Sequence, residues 1–142
     1  MINQISVFLE NKPGTLNQMT KVLARSGVNL RAISLAETTD FGIARMIVDD
    51  VITATTVLKD NDFVCSLTPV LAYEIPDEAG GLNKLLMLFT DADVNLEYMY
   101  SCLLGEDHQK RAIMIFRVAD PAAAEAALTA EGMSALTEEA FL

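Results

Sequence analysis

Histidine occurs once in the 142 residues, cysteine twice, and basic side chains are half as numerous as acidic ones, 10 against 20. The single histidine, His108, follows Asp107 in a charged stretch, where a solvated side chain is expected rather than a catalytic base or metal ligand. Cys65 and Cys102 fall in separate strand-like runs without metal-type spacing. Each is expected to be a buried free thiol, which suits a reducing, cytoplasmic setting. A net charge of −10 denies nucleic acid or an anionic membrane the positive face it needs, and the one close basic pair is Lys110-Arg111. No apolar run approaches the roughly 18 to 20 residues of a membrane helix, and Met-Ile-Asn-Gln lacks the basic head and apolar core of a signal peptide. Low-complexity tracts are missing too. With 51% hydrophobic residues the chain is expected to fold compactly rather than stay disordered.

What the chain does contain is a repeat. An alternating apolar run ends in Asn11-Lys12-Pro13-Gly14-Thr15-Leu16, and 66 positions later Asp77-Glu78-Ala79-Gly80-Gly81-Leu82 has the same layout, with Gly14 over Gly80 and Leu16 over Leu82. The same offset carries Val28-Asn29-Leu30 onto Val94-Asn95-Leu96. Repetition divides the chain into two halves, 1–68 and 69–142, each small enough to need support from its twin.

Ile2 to Leu9 reads as a strand that Pro13 and Gly14 end. Thr15 to Gln18 has capping-box spacing, with Thr15 expected to accept from the N–H of Gln18, and Leu16, Met19, Val22 and Leu23 line one face of a helix closed by Gly27. Strands are expected from Val28 to about Thr38 and from Ile43 to Val48. Asp50 then caps a helix to about Lys59, and Phe63 to Ser66 closes the unit. Leu67-Thr68-Pro69 is a short linker. The second half repeats the series: a strand from Val70 to Ile75, a helix with the stripe Leu82, Leu85, Leu86 and Phe89, a strand from Val94 to Leu103, and a hairpin tip at 105–110. After the next strand, Asp120-Pro121 starts a helix that Gly132 ends, and Met133 to Thr137 makes a final strand. Met19, Met46, Met87, Met99, Met114 and Met133 are expected in cores, and Tyr98 and Tyr100 on opposite faces of their strand. Strand-helix-strand-strand-helix-strand builds a four-stranded antiparallel sheet with two helices on one face, the ferredoxin-like α+β plan. Two copies are expected to lie edge to edge as an eight-stranded sheet.

The Pro13-Gly14-Thr15-Leu16 loop, then Leu23-Ala24-Arg25-Ser26-Gly27-Val28-Asn29-Leu30 and Ile33-Ser34, closely resembles an ACT domain. In the second half the likeness is looser, because Ala79-Gly80-Gly81-Leu82 lacks the proline and Asp93 replaces the glycine before Val94. The chain resembles small proteins made of two tandem ACT domains with no attached enzyme. What the resemblance implies is regulatory binding of a free amino acid or similar small ligand between paired domains, in a homodimer or with an enzyme of amino-acid metabolism as partner. Carried over, one site would combine Asn11, Lys12, Pro13, Gly14 and Thr15 with Asn95 and Leu96. The other would combine Gly80 and Gly81, with Asp77, Glu78 and Ala79, and Asn29 and Leu30.

The residues themselves agree. A helix beginning at Thr15 offers N–H groups and a positive dipole end to a carboxylate. Gly14 permits close approach, and an asparagine amide can serve both carboxylate and ammonium. No Ser/His/Asp, Cys/His or paired-carboxylate constellation appears, so no catalytic residue, cofactor or metal is expected. Two alternatives stay open: a scaffold that binds no ligand, and an acylphosphatase-like hydrolase, for which Lys12 stands where an arginine-rich loop is wanted.

Overall fold

The computed structural model describes residues 1–103 and 110–142. His108 and all but the last residue of the expected hairpin tip lie outside the described residues. In chain order the elements are β1 (Ile2–Glu10), α1 (Thr15–Arg25), β2 (Leu30–Glu37), β3 (Phe41–Val48), α2 (Val51–Asp60), β4 (Val64–Pro76), α3 (Gly81–Asp91), β5 (Leu96–Ser101), β6 (Arg111–Val118) and α4 (Pro121–Ala130), followed by a 3-10 turn at Glu138–Phe141. They form two compact units. The first comprises 3–68 with 141–142, and the second 69–140 with 1–2.

In the first unit β3 lies between β2 and β1, antiparallel to both, and β1 has β4 on its other side. The hydroxyls of Ser6 and Thr68 meet there at 3.2 Å. Alternation in β1 sends Ile5, Val7 and Leu9 to one face, where they meet Ala44, Met46 and Val48 of β3 beneath Met19 and Leu23 of α1 and Leu58 of α2. In the second unit β6 lies between β4 and β5. Its core gathers Leu71, Tyr73 and Ile75 of β4 with Leu85 and Phe89 of α3, Phe116 and Val118 of β6, and Leu128 of α4. Both units thus follow the ferredoxin-like plan.

The strand count differs from expectation. Among the described residues there are six strands rather than eight: the closing strand of the first half and the opening strand of the second are one continuous β4, and the final strand is absent. Pro69 does not break it: proline lacks only the donor, and its carbonyl accepts from Arg117 Nη1 at 2.8 Å. The expected last strand, Met133 to Thr137, has no strand pairing beyond the Leu136 N–H donating to the Ala72 carbonyl at 2.8 Å. Only Thr137 in that run is β-branched, so local preference for extended pairing is weak.

Several smaller expectations also change. Met19 and Met46 are fully buried, but Met87 is 55% exposed on α3. Tyr98 and Tyr100 share a face, their rings stacked with centroids 6.5 Å apart, as a period of two requires. Both cysteines are free but only half-buried. Asp93, standing where the first half has Gly27, adopts the same left-handed backbone, φ 57° against 72°. Aspartate tolerates that region better than most residues.

Caps are where local sequence and structure agree best. Asp120 accepts from the Ala123 N–H at 3.1 Å with Pro121 behind it. Asp50 accepts from the hydroxyl and the N–H of Thr53 at 2.7 and 3.0 Å, and those bonds, the hydroxyl first, hold its carboxyl below the ordinary value of 3.8. A depressed carboxyl contributes stability above its unfolded pKa and loses it as pH falls through the folded one. The melting-temperature advantage of the wild type over Asp50→Ala is therefore expected at about pH 6 and to shrink once pH drops below about 4, followed by circular dichroism.

Candidate functional site

The two loops named by the repeat share one backbone form. Gly14 and Gly80 are the N-caps of α1 and α3, with φ, ψ of 89°, −12° and 85°, −6°. This left-handed conformation suits glycine and costs other L-residues about 1–2 kcal/mol. The first helical bonds run from Gln18 N–H to the Gly14 carbonyl at 2.9 Å and from Lys84 N–H to the Gly80 carbonyl at 3.1 Å. Corresponding loop starts are anchored alike, Asn11 N–H to the Asp40 carbonyl and Asp77 N–H to the Lys110 carbonyl. The Thr15 and Gly81 N–H groups turn back to the carbonyls of Lys12 and Glu78, at 3.5 and 3.0 Å, which leaves the N–H groups of Leu16 and Asn17, and of Leu82 and Asn83, without intrahelical acceptors.

Side chains then separate the copies. Thr15 does not cap: with Gly14 already in the cap position, its hydroxyl turns back to the carbonyls of Lys12 and Glu10, at 2.6 and 2.8 Å. Asn11 reaches across to the β2–β3 turn, its amide within 3.2–3.3 Å of Glu37 Oε2 and the carbonyls of Thr38 and Thr39. Both side chains assigned to a ligand thus also brace the loop. Pro13 is exposed, and Lys12 is exposed and paired with Glu10 at 2.9 Å. In the second loop Asp77 replaces Asn11 and, as a carboxylate, has nothing to donate. Gly81 replaces Thr15, and a Cβ there would fall on the Pro76 carbonyl oxygen, well inside contact distance.

The asparagines lie elsewhere. Leu9 faces Gly42 in the β1–β3 ladder whereas Leu30 faces Val48 in the β2–β3 ladder, so Asn29 sits at the opposite end of its unit from the Gly14 loop. The 11 residues of α1 span about 16 Å between those ends. Pro76 facing Arg111 and Leu96 facing Val118 place Asn95 and the Gly80 loop apart in the same way. The Asn29 N–H donates to Asp49 Oδ1 at 2.9 Å and its carbonyl accepts from the Asp49 N–H at 3.2 Å, and the residue is exposed. Ala119 stands in place of Asp49 in the second unit, and Asn95 there borders a cleft of about 370 Å³ floored by Ala119, Ala123 and Ala127. Leu30 and Leu96 pack against their respective cores.

Sequence reasoning missed a further group. Beside the first loop, toward the α2–β4 turn, lies a cleft of about 420 Å³ bordered by Lys12, Thr15, Gln18, Asp62 and the rings of Phe8, Phe41 and Phe63. Phe8 could have been noticed, since it occupies an outward position in an alternating strand where a polar side chain is usual. Among the described residues no group of three or more His, Cys, Asp or Glu is placed to hold a metal, and no helix is long and apolar enough to cross a membrane.

Two ferredoxin-like units, each with a left-handed glycine capping the helix that follows its first strand, are the arrangement of a tandem ACT pair. The chain belongs to the ACT domain pair family, whose model matches residues 1–141. It is similar to protein BT0572 from Bacteroides thetaiotaomicron, with 36% identity over 95% of this chain and 91% of that one and a TM-score of 0.86. It shares the fold of the ligand-free regulatory subunit of aspartate kinase from Thermus thermophilus, at 17% identity, 90% coverage of both chains and a TM-score of 0.64. The same holds for the regulatory subunit of aspartate kinase from Thermus flavus, at 17% identity, 90% coverage of both and a TM-score of 0.55. No curated protein matches the chain.

Proposed function

We propose that this chain is a non-catalytic regulatory protein that binds a free amino acid where paired ACT domains meet. The observation that carries the reading is the matched loop geometry: two left-handed glycine caps, each followed by two helix N–H groups, of Leu16 and Asn17 and of Leu82 and Asn83, without an intrahelical acceptor and so available to a carboxylate. Because each loop and the asparagine of its own unit lie at opposite ends, a site joining Asn11–Thr15 to Asn95 needs a second ACT domain to complete it. The brace formed by Asn11 and Thr15 favours the first loop as the working one; the second, with Gly80, Gly81 and an acidic flank, is the weaker carboxylate site. The ligand would bias how the domains pair, and through that the protein's contact with a second copy or with an enzyme of amino-acid metabolism. The fold shared with aspartate kinase regulatory subunits supports such an output by analogy.

Thermal unfolding in the presence of free amino acids tests this. At one hundred times the dissociation constant, ligand is expected to add about 2.7 kcal/mol of stability. Gly14→Val, which strains the cap, is expected to abolish the shift. A protein whose melting point ignores every amino acid at millimolar concentration would be a scaffold instead.

A further inference from the structure

We propose that the ligand of the first unit carries a bulky apolar side chain, aromatic or branched, seated against Phe8, Phe41 and Phe63 beside the Asn11–Thr15 loop. This rests on the reading of that loop as an amino-acid site and specifies which amino acids it takes.

Two hollows flank the loop inside the first unit. The one toward β2, bordered by Asn11, Leu35 and Glu37, has a volume of about 60 Å³. That is room for a few waters and not for an amino acid. The one toward the α2–β4 turn is about 420 Å³, within the range of about 300–1,000 Å³ in which small-molecule sites fall. Of these two, only the second has room for the side chain of a ligand whose carboxylate meets the α1 amides.

That direction is apolar at its base. Phe8 and Phe41 are 49% and 58% exposed and Val64 is 66% exposed, so none of them is consumed by the core, which is built from the other face of the strands. Phe63, half-buried at the core's edge, also borders the cleft. The register seats Phe41 opposite Glu10 and Phe8 opposite Ile43, placing both rings on the sheet face that the helices leave uncovered.

The rim carries both signs. Lys12 supplies an ammonium, Glu10 and Asp62 supply carboxylates, and Gln18 adds a side-chain amide. The Glu10–Lys12 pair is exposed on both sides and contributes little, so a zwitterion can displace either partner at small cost. A zwitterion with an apolar side chain matches this arrangement; an anionic or cationic side chain does not, because it would bring an unpaired charge against the phenylalanines.

Calorimetry on the full chain with phenylalanine, leucine, glycine, serine, aspartate and lysine decides the matter, repeated on Phe41→Ala and Val64→Ser. Both substitutions are at exposed positions, and unchanged melting temperatures of the free proteins would establish that they fold. Phenylalanine or leucine is expected to bind roughly 10- to 100-fold more tightly than glycine or serine, with that advantage lost in Phe41→Ala. Polar amino acids binding as well as apolar ones, undiminished in Phe41→Ala, would overturn the side-chain assignment and leave the amino-acid reading standing. Silence with all six ligands would remove both. A wild type that binds none of them but dimerises, with Phe41→Ala monomeric by sedimentation, would make the patch a self-interface and overturn the proposal.

Discussion

Gly81→Ala is expected to make the protein about 2–3 kcal/mol less stable, although alanine is by itself the better helix residue by about 1 kcal/mol. The new methyl would land on the Pro76 carbonyl, a backbone atom that cannot rotate aside as a flexible side chain would. Gly14→Ala meets no atom within 4 Å and suffers only from its φ of 89°, so it should cost about 1–2 kcal/mol. Gly81→Thr, which transplants the matching residue of the first loop, is expected to be at least as damaging as Gly81→Ala. Chemical denaturation of the three variants would measure the order. If Gly81→Thr were tolerated, the two loops would be interchangeable and the preference for the first as the ligand loop would lose its main support.

Phe89→Ala is expected to cost about 3–5 kcal/mol, the usual range for removing a buried phenylalanine. Phe89 is 1% exposed, and its ring lies 5.0 Å from that of Phe116 and 5.9 Å, edge-on, from that of Tyr73. Against total stabilities of about 5–15 kcal/mol such a loss endangers the second unit altogether. Met87→Ala, two positions along the same helix but 55% exposed, should stay within about 0.5 kcal/mol of wild type. Tyr73 makes the contrast sharper. Its hydroxyl is buried and has no hydrogen-bond partner among the described residues, and burial, with the Glu125 carboxylate adding to it, pushes the phenol up to about 12. Tyr73→Phe keeps the ring and discards the unmatched hydroxyl, so in the same denaturation series it should equal or exceed wild type.

How much of this was legible in the sequence depended on how tightly backbone geometry restricts residue choice. Left-handed turns leave glycines behind, so Gly14 over Gly80 was visible, and Asp50 and Asp120-Pro121 announced their helices because few residues satisfy free amides so well. Thr15 misled for the same reason: its spacing from Gln18 fits a capping box, yet the preceding glycine had already taken the cap. Leu67-Thr68-Pro69 looked like a linker between two strands because proline usually ends one, and only the continuous β4 reveals that its missing donor was not needed. The aromatic cleft was harder still, since Phe8, Phe41 and Phe63 are brought together by register and by the α2–β4 turn rather than by spacing. Asn11 was read as a ligand residue, and its bonds to the β2–β3 turn, which join positions 26 to 28 apart, left no mark in the local sequence.

Those bonds bear on speed as well as shape. Tied at one end to a neighbouring hairpin and at the other by Thr15, the peptide groups ahead of α1 already hold their directions before any solute arrives. A visiting molecule would surrender its own tumbling and shed some hydration, with no wandering segment to be captured first. Under the proposed reading, occupancy should then track solute concentration without a preceding ordering step.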